Sequence, residues 1–183
     1  MVWRRSQQRL IYVLSQKKSS SSIAIERISA NFCASHVIVT EQYEEGLHGH
    51  NYLVEIEIEG NVDTDDLLID FIFLEKLLSQ AISNWDHYIL LPSKNSKMII
   101  SENEDNIEIK YGNRFYSLPK NEIKFLSCRN VTTEVLARLL GEKLRALLYQ
   151  EEFWKRIQTI KITIWETSVY RASYTIRSNL LGK

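Results

Sequence analysis

Along residues 48–59 the chain alternates, placing His48, His50, Tyr52, Val54, Ile56 and Ile58 on one face of an extended segment. Gly49, Asn51, Leu53, Glu55, Glu57 and Glu59 take the other face, the pattern of a half-buried antiparallel strand. A preceding strand follows the same rule: from Ile23, the positions Ala24, Ile28, Ala30, Phe32, Ala34 and His36 share a face, and residues 37–47 read as a polar connection. Near the C-terminus "TIKITIWET" alternates through Ile160, Ile162 and Ile164, and "YRASYTI" is a last extended segment. Two stretches change to helical spacing. Asp70 stands where it caps a helix running to about residue 84, with Leu74, Leu77, Leu78 and Ala81 on its apolar stripe. Thr132 or Thr133 caps a second, with Leu136, Leu139, Leu140, Lys143, Leu144 and Leu147.

Between the helices, "WDHYILLPS" reads as a loop. Residues 94–127 read as a β-rich, hairpin-like insertion, with "KMII", "NIEIKYG" and "RFYSL" broken by "ENEDN" and "GN". The order strand, strand, helix, insertion, helix, strand, strand predicts an α+β fold. Its expected form is a four-stranded antiparallel sheet with two helices on one face, plus the insertion.

Composition narrows the classes. A chain of 183 residues, 44% hydrophobic, is sized for one domain, expected over residues 23–183. Residues 1–22, "MVWRRSQQRLIYVLSQKKSSSS", read as an appended basic tail. Lys plus Arg equal Asp plus Glu at 23 each, so no basic field points to nucleic acid. No apolar run approaches the roughly 18 residues of a membrane helix, and a cytoplasmic protein is expected. Two lone cysteines, Cys33 and Cys128, suit neither a disulfide scaffold nor a cysteine-rich metal site.

The chemistry concentrates in histidines and acids. Strand period puts His48 and His50 side by side, and His36 closes the group if the two strands pair. Three imidazoles with an open fourth position form a catalytic zinc arrangement. Glu166 continues the face of Ile160, Ile162 and Ile164; it is either solvated past the strand end or satisfied by a ligand's adjacent N–H donors. Asp86-His87 is a candidate proton-shuttling pair, although adjacency alone does not make the two touch. Thr132-Thr133-Glu134 reads first as a helix cap with an acid in the first turn.

"FCASH", "LHGHNY", "LIDFIFLEKLL", "WDHYIL", "TTEVLA" and "WET" occur in the order found in the 6-pyruvoyltetrahydropterin synthase and 6-carboxytetrahydropterin synthase family. The resemblance covers about residues 25–92 and 128–176. It implies the tunnelling fold, with subunits assembling as trimers paired into hexamers, and zinc (Zn2+) on His36, His48 and His50. It further implies a dihydropterin substrate anchored by Glu166, a pocket lined by Thr132, Thr133 and Glu134, and a catalytic pair, Asp86 and His87, reached across a subunit interface.

The chain departs from the synthases at one position. They carry a catalytic cysteine four residues before His-Gly-His, where this chain has Glu44. Cys33 lies an odd number of residues from His36 and so points to the opposite strand face. The stretch "EGLHGH" instead resembles a subgroup with the pattern Glu-x-x-His-Gly-His, which places Glu45 as the base. That subgroup forms 6-hydroxymethyl-7,8-dihydropterin from dihydroneopterin or its phosphate, for folate-type pterin synthesis. Glu44 stays open as the working residue. So do 6-carboxytetrahydropterin synthesis, for modified bases, and 6-pyruvoyltetrahydropterin synthesis, both from the triphosphate. A zinc-stabilised binding protein without chemistry is the reading from a different class.

Overall fold

A computed structural model describes residues 22–23 and 30–177. The expected basic tail and the start of the first strand, Ala24 and Ile28 included, lie outside the described residues apart from Ser22 and Ile23. The main sheet is built from β1 (Ser22–Ile23), β2 (Ala30–His36), β3 (His48–Gly60), β4 (Tyr88–Pro92), β8 (Ile123–Leu126), β9 (Ile157–Trp165) and β10 (Arg171–Arg177). Beside it stand α1 (Phe71–Ile82), α2 (Thr133–Leu148), two short 3-10 turns (Lys120–Glu122 and Glu152–Arg156) and a smaller sheet of β5 (Ile99–Glu102), β6 (Asn106–Tyr111) and β7 (Arg114–Pro119).

The α+β class holds, but the sheet is larger than four strands and is not wholly antiparallel. Its order is β10-β9-β3-β2-β4-β8, with β1 also pairing β3, making seven strands among the described residues. β4 runs parallel to β2, and β8 runs parallel to β4. The segment read as a loop, "YILLP", is therefore a strand. It hides from an alternation test because both of its faces are covered: Leu90 packs in the main core and Leu91 in a second cluster. The end of the insertion region, Ile123–Leu126, supplies the sheet's outer strand by pairing parallel to β4.

Both helices lie on one face. Phe32, Tyr52, Val54, Ile56, Ile58, Ile160, Ile162 and Ile164 meet Leu74, Leu78, Leu136, Leu140 and Leu144 in a single buried cluster. The β5–β7 sheet packs on the opposite face at the β4–β8 edge, where Ile107, Ile109 and Tyr111 meet Val37, Val39, Leu91 and Ile123. β2 and β3 pair so that His36 stands opposite His48, and Ala34 opposite His50. Gly49 is required at this crossing, since a Cβ there would come within 2.8 Å of Ser35 Oγ and 2.9 Å of the Ala34 carbonyl oxygen.

Asp70 caps α1 as the spacing predicts: its Oδ1 accepts from the Ile72 N–H (2.7 Å) and the Phe73 N–H (3.3 Å). Asp70→Ala is expected to cost about 1 kcal/mol, a fall of roughly 2–4 °C in Tm at this size, with metal content unchanged. A thermal melt beside a metal assay checks it.

Candidate active site

The sheet brings three histidines together at the end of the helix-covered face. The ligand atoms of His36, His48 and His50 lie within 4.8 Å of one another. His36 is buried, and its Nδ1–H donates to the Val131 carbonyl (2.6 Å), just before the cap of α2. A carbonyl only accepts, so the proton sits on Nδ1 and Nε2 presents a lone pair. His48 is oriented alike, its Nδ1–H donating to the Gly46 carbonyl at 2.9 Å. Burial holds the His36 imidazole below its ordinary pKa, against the opposing effect of the Val131 carbonyl, which favours the neutral ligand form.

The Nε2 atoms of His36 and His50 are buried without a hydrogen-bond partner. Unpaired buried nitrogens are costly in a protein interior, and a metal ion is the group that three converging imidazole lone pairs satisfy. The residues present therefore fit a bound metal. Tyr52 forms part of the floor, with its ring 5.5 Å from that of His50, and burial pushes its phenol pKa up.

Two carboxylates approach this group from different elements. Glu166 follows the end of β9 and does not point away into solvent: its Oε1 lies 3.5 Å from His50 Nε2 and 3.7 Å from His36 Nε2. Glu45 comes from the loop before β3, with Oε2 3.8 Å from His48 Nε2. Its neighbour Glu44 is turned the other way, onto Arg114 of the small sheet (3.2 Å). Cys33 sits on the exposed side of β2, with alternation placing it on the face opposite the histidines.

The candidate pocket segment lies next to His36. Thr132 caps α2 by accepting from the Val135 N–H (3.4 Å), Thr133 is buried, and Glu134 stands in the first turn. The capping role of Thr132 holds, and the residue before it, Val131, is the one that bonds His36.

Asp86 and His87 do touch, with Oδ1 and Nδ1 3.0 Å apart. They are fixed to β2 through the Cys33 backbone: the Cys33 N–H donates to Asp86 Oδ1 (2.9 Å), and the His87 N–H donates to the Cys33 carbonyl (2.7 Å). The Cys33 amide, with His87 adding to it, holds the Asp86 carboxyl below the usual range. His87 adopts a left-handed backbone (φ 64°), uncommon for a residue with a side chain, and its side chain is 81% exposed. Within one chain no hydrogen bond or ion pair among the described residues joins this pair to the triad.

Sequence reasoning missed the groups that hold the site in place: the Val131 and Gly46 carbonyls, and Tyr111, Arg114 and Tyr116 of the small sheet. Backbone carbonyls carry no residue signature. The "YGNR" stretch reads as a hairpin turn, but nothing local says what the hairpin touches.

The family model described as 6-pyruvoyl tetrahydropterin synthase matches residues 25–177. The chain belongs to the 6-pyruvoyl tetrahydropterin synthase family. A Pyrococcus horikoshii relative named for 6-carboxy-5,6,7,8-tetrahydropterin synthase is 32% identical over 138 residues, covering 74% of this chain and 79% of that protein. A Pyrococcus furiosus protein named dihydroneopterin monophosphate aldolase is 34% identical over a shorter stretch of 58 residues, 32% of this chain and 49% of its own. The crystal structure of the Plasmodium vivax 6-pyruvoyl tetrahydropterin synthase superposes with a TM-score of 0.81 at 25% identity, covering 87% of this chain and 99% of that one. Two further structures of that Plasmodium protein carry alanine or cysteine in place of a glutamate described as a catalytic residue. The fold is thus the family's tunnelling fold, members of the family are enzymes, and the triad is a group able to hold a metal ion.

Proposed function

We propose that the chain is a zinc-dependent lyase that cleaves the side chain of 7,8-dihydroneopterin, or of its phosphate, to 6-hydroxymethyl-7,8-dihydropterin, for folate-type pterin synthesis in the cytoplasm. The observation that carries this reading is that a carboxylate, Glu45, faces the histidine triad from the loop before β3, while the nearest cysteine in sequence, Cys33, faces away. Three imidazole donors suit zinc, held by His36, His48 and His50. Glu166 anchors the pterin ring through its N–H donors, with Thr132, Thr133 and Glu134 lining the pocket. The backbone edges of β10 and β8, which pair with no further strand among the described residues, suit sheet-to-sheet assembly into a homo-oligomer, trimers paired into hexamers, in which Asp86 and His87 of one subunit serve the site of another.

The residues divide the work of a retro-aldol cleavage. Bound zinc would polarise the side-chain hydroxyls and make their protons easier to remove. The Glu45 carboxylate accepts the proton of the 2′-hydroxyl, C2′ becomes a carbonyl, and the C1′–C2′ bond breaks. Its electrons pass into the conjugated C6=N5 imine of the pterin. His87, oriented by Asp86, returns a proton to C1′. The products are 6-hydroxymethyl-7,8-dihydropterin and glycolaldehyde or its phosphate, with atoms and electrons balanced. A carboxylate suits removal of a hydroxyl proton better than removal of a carbon-bound one, the task a thiolate serves in the synthases.

A second reading has its own support. Relatives are named for 6-carboxytetrahydropterin synthase, and a catalytic glutamate is described in a protein named as a 6-pyruvoyl tetrahydropterin synthase, so a glutamate alone does not exclude synthase chemistry on dihydroneopterin triphosphate. The deciding experiment incubates zinc-loaded protein with 7,8-dihydroneopterin, its monophosphate and its triphosphate, and identifies the products by chromatography and mass. 6-Hydroxymethyl-7,8-dihydropterin is expected; a 6-carboxy or 6-pyruvoyl product would replace this reading with the second.

A further inference from the structure

The small sheet grips the loop that carries the two adjacent acids. β6 and β7 meet at a tight turn, in which Gly112 takes the left-handed backbone (φ 52°), and this turn lies against the Glu44 carboxylate. Three contacts run from the hairpin to the loop. The Tyr111 hydroxyl donates to the Glu45 carbonyl (2.7 Å), the Leu47 N–H donates to the Tyr116 hydroxyl (3.2 Å), and Arg114 pairs with Glu44 (3.2 Å). The two tyrosine rings stack with centroids 5.9 Å apart, and Tyr111 is buried among Val37, Val39 and Ile109. The loop is also tied to itself, with the Glu45 N–H donating to the Ile38 carbonyl (2.8 Å).

These bonds sort the two acids. The backbone of Glu45 is bonded at both its N–H and its carbonyl, which fixes where its side chain leaves the chain, and that side chain reaches His48. Glu44 is drawn to the hairpin by a guanidinium. The same hairpin also reaches a ligand: the Gly46–Leu47 peptide bonds Tyr116 at its N–H and His48 Nδ1–H at its carbonyl.

We infer that Tyr111 and Arg114 of the small sheet are positioning residues that set Glu45, and not Glu44, as the carboxylate facing the histidine triad. This rests on the reading of Glu45 as the base. It assigns a task to the β5–β7 segment: it is a frame for the catalytic loop, mounted on the sheet face away from the helices. Positioning matters because a displacement of about 1 Å at a reacting group can cost on the order of a hundredfold in rate.

The test compares zinc-loaded wild-type protein, Tyr111→Phe, Arg114→Ala, the double variant, Glu45→Ala, and Glu45→Ala combined with the double. Each is assayed on 7,8-dihydroneopterin and its mono- and triphosphate, with rates normalised to zinc content. Phenylalanine keeps the stacked ring and removes only the hydroxyl. The double variant is expected to lose about 10- to 100-fold in kcat with KM within about twofold. In the Glu45→Ala background the same changes are expected to move the residual rate by less than about threefold, because they act through a side chain already gone. Arg114→Lys is expected to restore most of the rate lost in Arg114→Ala. If the double variant misfolds, Tyr111→Phe alone carries the test, with about a tenfold loss expected. An unchanged kcat, or losses that multiply in the Glu45→Ala background, would overturn the inference and leave Glu45 as base. Full activity in Glu45→Ala alone would overturn the base assignment itself, and this inference with it.

Discussion

Alanine at His50 is expected to strip the metal and end turnover while the fold survives. His50 stands on β3 opposite Ala34, so alanine fits the cross-strand position without a clash. Its Nε2 is buried and has no hydrogen-bond partner, so truncation leaves no protein group newly orphaned at that atom. What remains is a two-imidazole site, one ligand short of the three that hold a catalytic zinc. Bound zinc after dialysis is expected to fall from about one per chain to below roughly a tenth, and kcat/KM by about a thousandfold or more. His36→Ala should lose the metal equally but also cost about 1–3 kcal/mol, because the Val131 carbonyl loses its buried donor. Metal analysis, circular dichroism and a thermal melt on both variants separate the two effects. Retained zinc and activity in His50→Ala would remove the triad from the chemistry.

Glu45→Ala tests the other half of the site, and the expected result is the reverse: metal kept, turnover lost. Glu45 lies beside His48 but is not one of the three converging ligands, so zinc content should stay near that of the wild type. Removal of a positioned general base typically costs about 10²–10⁴-fold, and a loss in that range is expected in kcat. Glu44→Ala breaks only the Arg114 contact and leaves the Tyr111 bond to the Glu45 carbonyl, so it is expected to cost no more than Arg114→Ala, less than about fivefold. Single-turnover assays with zinc quantified in the same samples distinguish a lost base from a lost metal. Equal losses in the two variants would show that the adjacent acids share the role.

Much of this site is legible from strand arithmetic. Side chains two residues apart share a face, so His48 and His50 had to stand together, and the parity of Phe32, Ala34 and His36 put the third imidazole on the apolar face of its own strand. The same parity turned Cys33 away, as observed. Helix caps were legible because Asp70 and Thr132 act on amides two or three residues along. The strand β4 was not, since a strand covered on both faces shows no alternation and resembles a short apolar loop. Nor was the sheet's size, because the partners of β4 and β8 lie far along the chain.

The amino-acid sequence alone determined the grouping of the three histidines, the fold class and the family, because each depends on residue identity at fixed local spacing or on motifs in order. Only the tertiary structure decided which proton the His36 ring carries, since its partner is a backbone carbonyl 95 residues away with no side-chain signature. It also brought Glu166 to the triad and parted Glu44 from Glu45. Those two acids are neighbours in sequence and equal in chemistry. What separates them is an arginine 70 positions beyond Glu44 and a tyrosine 66 beyond Glu45, placed against the loop by the packing of a second sheet.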